Sequence, residues 1–390
     1  MLRSFFSQAT GHSTAAQTGN VDATFLRDIN HGGEATQPIM IAKLIADFIA
    51  GARISVHISI YDFRLSNELG RPLVDNLIAQ ANAGLDVKIA YDHTTPNKEN
   101  TEQPAQVLSL LGGDPKATKV QSPSLLMLPE ALAGSLISIR PVAGIHLMHH
   151  KYMVRDAGTP QAVVLTGSTN FTNDAWTHQE NNMVVIASPA LASYYETDFQ
   201  DLWTSGNIAS TGLNDSGNAE TGSSLLSVDF APGDGTAIEA RLASLVFGAQ
   251  KRIRVCSMLL SSHKILGALA HVLATKQIDP AEFSGLYDAT QMETVLQWWR
   301  KQEENAAVKT FQTVAAHLAA KHSQPYTPDG LHNFMHNKIL VCDDIVATGS
   351  FNFSSSATQN AENSLLVQDQ ALADLYADYI DELVKQYRSF

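Results

Sequence analysis

The segment MHHKYMVRD, residues 148–156, sets His149 and Lys151 two positions apart in a strand-like run. Residues two apart on a strand point to one face, so an imidazole and an ammonium project together while His150 faces the other way. MHNKILVCDD, residues 335–344, repeats the pattern with His336 and Lys338. Each copy is followed by a second apolar run ending in TGSTN or TGSFN, which puts Ser168 with Asn170, and Ser350 with Asn352, on shared faces. Gly167 and Gly349 remove a side chain where backbone must approach a ligand. An imidazole, an ammonium, a hydroxyl and a carboxamide converging on one spot make a clamp for a tetrahedral phosphate, with lysine as its point charge. Two such sets facing each other would flank a phosphodiester with two histidines. A neutral imidazole could then attack phosphorus while a protonated one gives its proton to the leaving oxygen.

The elements that carry these residues are themselves duplicated. GSTNFTNDAWTHQENNMVV (167–185) aligns with GSFNFSSSATQNAENSLLV (349–367) without a gap, pairing Glu180-Asn181 with Glu362-Asn363. The first HxK copy carries five extra residues, near GTPQA, in the turn between its two strands. PALASYYETDFQDLW matches QALADLYADYIDELV as a closing amphipathic helix, ARISVHISIYDF matches KRIRVCSMLLSS, and AYDHT matches LYDAT. Each half reads as helix, buried strand, helix, a strand ending in Tyr-Asp, a variable insert, the HxK and GSxN strands, and a last strand and helix. Strands alternating with helices predict an α/β protein of two pseudo-twofold-related α/β/α sandwich halves, with the active site at their interface. The domains are expected at 1–204 and 225–390, joined by an exposed Gly, Ser, Asn and Thr-rich linker at 205–224. The inserts, 96–141 with the apolar SLLMLPEALAGSLISI and 291–330 with VLQWWRKQEEN, either select substrate or pack over the sheet.

A chain of 390 residues that is 44% hydrophobic can bury a large core, and its formal charge of −13 works against long-range attraction of a polyanion. Cys256 and Cys342 sit in apolar strands without metal-ligand spacing and are expected as buried free thiols. Isolated histidines such as His31, His57, His93 and His322 are expected to be structural. Phe171, Trp176, Phe351 and Phe353 could stack bases, although core packing is the commoner use of such rings. No run is apolar and long enough for a membrane span or a secretion signal, so the chain is expected in the cytoplasm, or secreted if a signal once preceded it.

HxKxxxxD occurs as His149, Lys151, Asp156 and as His336, Lys338, Asp343, each followed by GSxN and a Glu-Asn pair. This doubled pattern resembles the phospholipase D superfamily, in the form with two HKD motifs in one chain. The resemblance implies that His149 is the nucleophile forming a phosphohistidine and that His336 is the general acid that later activates water or an alcohol. It implies that Lys151, Lys338, Asn170 and Asn352 hold the non-bridging oxygens, with Ser168 and Ser350 in support. Glu180 and Glu362 would orient the imidazoles, and Asp156 and Asp343 would support the motif from behind. No metal and no cofactor are expected, because the lysines neutralise the charge, and one chain holds both half-sites, so no oligomer is required. Paired histidines in different protonation states predict a bell-shaped pH dependence.

The substrate is less constrained. The short GSxNF element is similar to that of bacterial nuclease-like members, which favours DNA or RNA, against the acidic balance. The alternative is a phospholipid, hydrolysed or transferred at its headgroup, for which the apolar insert speaks. An inactive phosphate-binding scaffold is the second alternative.

Overall fold

The computed structural model describes residues 20–93, 132, 134–327 and 330–388, with the backbone of short strands at 15–18 and 125–127. Most of the first insert, and with it most of SLLMLPEALAGSLISI, lies outside the described residues. In the first half the strands are β1 (Ala15–Thr18), β2 (Val21–Leu26), β3 (Ser55–Ile60), β4 (Phe63–Ser66), β5 (Asp86–Asp92) and β6 (Leu125–Met127). They continue as β7 (Ser138–Val142), β8 (Lys151–Arg155), β9 (Val163–Gly167), β10 (Phe171–Thr172) and β11 (Asn181–Ala187). The second half has β12 (Gly217–Thr221), β13 (Ser224–Ala231), β14 (Ile253–Ser257), β15 (Phe283–Asp288), β16 (Ala319–Lys321), β17 (Lys338–Cys342), β18 (Ile345–Gly349) and β19 (Glu362–Gln368).

These build two large sheets of the same plan, β1-β2-β11-β9-β8-β3-β5-β7 and β12-β13-β19-β18-β17-β14-β15-β16. In each sheet the last three strands run parallel and the others antiparallel. The duplication read from the sequence is thus a duplication of topology.

Helices cover both faces of each sheet. The outer face of the first carries α1 (Gln37–Ala50), α2 (Asn67–Asn82) and the short α3 (Asn173–Thr177), and its inner face carries α4 (Pro189–Ser205). The second sheet has α5 (Gly235–Gly248), α6 (His263–Thr275), α7 (Ala289–Lys301) and α8 (Asn305–Ala315) outside and α9 (Gln370–Arg388) inside. Successive strand residues alternate between cores. On β8, Tyr152 and Val154 enter the inner core while Met153 enters the outer one, as the two-residue period of a strand buried on both faces requires. The inner core is shared by both halves, with Tyr195 and Phe199 of α4 in the same cluster as Tyr376 and Tyr379 of α9.

The expected linker is instead structured. Residues 217–221 form β12, an edge strand in register with β13 from Gly217↔Val228 to Thr221↔Ser224. Thr221 Oγ1 accepts from Asn20 Nδ2 at 3.0 Å and donates to Ala187 O at 2.7 Å, tying this strand to the first half. Asp215 and Thr211 are fully buried. An edge strand with one wetted face has the polar composition of a linker, and composition alone does not separate the two. The second insert is mainly architecture: Val295, Leu296, Trp299, Phe311 and Val314 of α7 and α8 join the outer core, and β16 extends the sheet.

Candidate active site

Each HxK segment is stitched to the other half before its strand begins. Met148 bridges Ala361 and Met335 bridges Glu180. His149 N donates to Ala361 O at 2.9 Å, and His336 N donates to Glu180 O at 3.0 Å. The repeated Tyr-Asp supplies a second anchor: Asp92 Oδ1 accepts from Met148 N at 2.7 Å and Asp288 Oδ2 from Met335 N at 2.9 Å. The histidines therefore stand where the ends of both sheets meet, held by groups from both halves.

The rings are backed across the same boundary. His149 Nδ1 lies 2.9 Å from Glu362 Oε2, with both side chains buried. His336 Nδ1 lies 3.0 Å from Asn181 Oδ1. Ser168 Oγ donates to Asn181 Oδ1 at 2.8 Å and accepts from Asn182 N, and Ser350 Oγ accepts from Asn363 N at 3.0 Å. A bond from the Ser350 side chain also helps hold Glu362. The serine hydroxyls thus fix the groups behind the imidazoles, which differs from the expected support of phosphate oxygens.

Four cationisable groups, His149, Lys151, His336 and Lys338, are buried and act on one another. Lys151 Nζ donates to His149 O at 2.6 Å, and Lys338 Nζ donates to His336 O at 2.5 Å. Burial depresses the proton affinity of all four. It takes His149 well below the ordinary imidazole range, with Lys151 and Lys338 adding to the effect, and does the same to His336, where Lys338, Lys151 and His149 add. Lys151 falls to about 7 and Lys338 well below its ordinary value, each mainly by burial. Burial pushes Glu362 up to about 7, opposed by Lys151. Basic groups whose charged forms are disfavoured by burial regain charge when an anion sits among them. Among the described residues, Asn170 Oδ1 and Asn352 Oδ1 are buried without a hydrogen-bond partner; as acceptors they suit a hydroxyl or water, and only the Nδ2 end of each amide can donate to an oxyanion.

Other expected roles shift. Glu180 does not back His336. Its Oε1 lies 3.6 Å from Lys321 Nζ, which also lies 3.1 Å from Asp28 Oδ2 and hydrogen-bonds His178 O at 3.0 Å. Gly167 (φ +148°) and Gly349 (φ +130°) serve close strand packing: a Cβ would meet Asn182 O at 2.2 Å and Asn363 O at 2.4 Å. Asp156 and Asp343 sit at the far ends of their strands, where Asp156 Oδ1 accepts from the backbone N–H groups of Arg53, Ile54 and Ser55. The Asp343 carboxylate accepts from Gln250 N through Oδ2 and from Lys251 N and Arg252 N through Oδ1. Phe171, Trp176, Phe351 and Phe353 are buried, and Cys256 and Cys342 are buried free thiols.

Sequence reasoning missed four contributors. Tyr61 lies 4.8 Å, ring to ring, from His149, and Lys151 Nζ sits 4.9 Å from the centre of its ring. Asp92 and Asp288 were visible as a repeated dipeptide that lacked a role. Asn181 was visible only as half of a Glu-Asn pair.

A family described as "Cardiolipin synthase, PLD-like domain" matches residues 45–203 and 242–384, once in each half. The chain belongs to that family. A phospholipase D of Rickettsia conorii is 44% identical to this phospholipase D-like chain over 50 residues, 12% of the chain and 25% of the relative. The chain thus spans about a quarter of the length of the curated relatives it matches. In fold, it is similar to a phosphatidylserine synthase of Haemophilus influenzae (TM-score 0.60, 15% identity, 94% of this chain and 86% of that one). It is also similar to a polyphosphate kinase of Porphyromonas gingivalis (TM-score 0.56, 11% identity, 93% of this chain and 46% of that one). Among the described residues, no helix is long and apolar enough to cross a membrane.

Proposed function

We propose that this phospholipase D-like phosphodiesterase acts on a phospholipid, by headgroup hydrolysis or by transfer of the phosphatidyl group to an alcohol. The observation that carries the chemistry is the crossing of the halves: each imidazole is held from the opposite half, with both lysines acting on both rings. The nucleic-acid reading favoured by the sequence gives way to the lipid reading. The family description names cardiolipin synthase and the curated relatives are named phospholipase D. The rings beside GSxN that could have stacked bases lie in the core, and the charge of −13 offers no long-range attraction for a polyanion. Exposed Leu136, Ile139 and Ile145, in the stretch leading to the first HxK strand, supply apolar surface for a lipid interface.

The reaction runs in two displacements. The Nε2 lone pair of neutral His149 attacks phosphorus, the bond to the leaving oxygen breaks, and His336 gives that oxygen a proton. Lys151, Lys338, Asn170 and Asn352 hold the non-bridging oxygens. Water or an alcohol then attacks phosphorus and yields its proton to His336, and the N–P electron pair returns to His149.

Incubation in EDTA with vesicles of phosphatidylcholine, phosphatidylserine or phosphatidylglycerol, beside single-stranded DNA, duplex DNA and RNA, tests the reading. Headgroup release or exchange that disappears in His149→Ala and His336→Ala supports it. Cleavage of nucleic acid with intact lipid would return the choice to a nuclease, and binding of phosphate without turnover of any diester would favour a scaffold.

A further inference from the structure

The two halves are equivalent in hydrogen bonding but not in the charge behind their histidines. Ser168 N donates to Asn182 O at 3.0 Å, and Ser350 N donates to Asn363 O at 3.1 Å. Thr348 Oγ1 and Tyr376 OH donate to Asn182 Oδ1, while Thr166 Oγ1 and Tyr195 OH donate to Asn363 Oδ1. Gly167 pairs with Met183 and Gly349 with Ser364. Asn182 is therefore the counterpart of Asn363, and Asn181 is the counterpart of Glu362. The gapless letter match placed Glu180 there, but the first half has one more residue between its GSxN and its last strand, and Glu180 is turned out of the place.

From this we infer that Asn181 is the positioning residue of His336, the ring to which the two-displacement reading gives the proton, and that an amide in a carboxylate's place orients that ring without bringing it a charge. This rests on the two-displacement reading above and deepens it. Asn181 Nδ2 donates to Ala175 O and Gln179 Oε1, each at 3.2 Å, while its Oδ1 accepts from Ser168 Oγ. The oxygen is thus the atom facing His336, so the Nδ1 of that ring carries hydrogen and Nε2 is its working atom. An amide oxygen fixes the tautomer as well as a carboxylate does, but it brings no charge to stabilise an imidazolium. The charged and titratable groups facing His336 are Lys338 on its own strand and Lys151 and His149 from the other half. Glu180 meets it through backbone and directs its carboxylate to Lys321. Protonated His336 is therefore a strong acid, suited to a leaving alkoxide. Phosphorylated His149, a cation with hydrogen on Nδ1, has the Glu362 carboxylate to balance it.

The test compares Asn181→Ala, Asn181→Asp and Glu362→Gln on two diesters, one losing p-nitrophenolate, which needs no proton, and one losing an alkoxide, which does. Asn181→Ala should slow phosphoenzyme formation from the alkyl diester about tenfold or more, and from the aryl diester, read as the burst of p-nitrophenolate, by less than about twofold. Asn181→Asp should restore the alkyl reaction and raise the alkaline limb of its pH profile by about one unit. Glu362→Gln should slow phosphoenzyme formation from both diesters about tenfold or more. Equal slowing of phosphoenzyme formation from both diesters by Asn181→Ala, or an unmoved limb in Asn181→Asp, would overturn the role. Turnover of the aryl diester with untouched phospholipid would defeat the lipid reading while leaving this comparison intact. If no diester reacts, NMR titration decides: the His336 resonance, identified by its loss in His336→Asn, must titrate about one unit higher in Asn181→Asp than in the wild type. No rise would refute the role.

Discussion

His149 of the first half and Glu362 of the second meet at 2.9 Å, both buried, so the first histidine is oriented by a residue 213 positions downstream. Neither half alone contains a complete site. Duplication in one chain supplies both members, and the shared inner core holds them in register.

The site should bind oxyanions more weakly as pH rises. Burial takes the Lys151 midpoint down to about 7, and an anion selects the ammonium form. Below that midpoint the charge is already present; above it, binding must take up a proton. The association constant for vanadate or tungstate should therefore fall by roughly tenfold per pH unit above 7 for each proton taken up. Calorimetry in buffers of different ionisation enthalpy would count the protons, and a flat affinity from pH 6 to 9 would count against the coupling.

Asp156→Ala should act on stability rather than on chemistry. It removes the acceptor for three backbone N–H groups at the start of β3, at a cost of about 1–3 kcal/mol. Asp156→Asn, which keeps an oxygen and tolerates the left-handed φ of 58°, should lose less. Urea unfolding measures the difference, and kcat per folded molecule should stay within about twofold. A large loss of kcat with unchanged unfolding would make Asp156 a participant in the reaction.

Lys321→Met should be among the most destabilising single changes. It leaves the carboxylates of Asp28 and Glu180 buried without their shared ammonium, at about 3–5 kcal/mol. A thermal midpoint within a degree of the wild type would show that the triad contributes little.

Gly349→Ala should disturb the site through packing. Its Cβ would come within 2.4 Å of Asn363 O and 2.8 Å of Asn363 Oδ1, so β18 and β19 must part beside Glu362. Weaker oxyanion binding together with a lower unfolding midpoint is expected, and normal binding in a stable variant would contradict the packing role.

The letters that do chemistry were legible because phosphate transfer restricts the residue types, and the duplicated strands because their alternation into two cores leaves a two-residue period. Asn181 was not legible. One additional residue before β11 moves Glu180 out of step, and a gapless match of letters has no means of choosing Asn181 over its acidic neighbour. The serines and glycines of GSxN were assigned to the ligand because the sequence shows which residues recur but not what stands behind them. Strand β12 was hidden by its wetted face. Asp92 and Asp288 recur as plainly as the histidines, yet a carboxylate that caps the backbone of a distant strand has no signature apart from the fold.

Rapid-quench mass spectrometry of His336→Ala with a p-nitrophenyl phosphodiester tests the central claim most directly. With the nucleophile intact and the proton-handling partner removed, the phosphorylated protein should accumulate as an acid-labile, base-stable adduct on His149, and it should be absent from His149→Ala. An adduct on any other residue, or turnover without an adduct in a variant that lacks both histidines, would contradict the account.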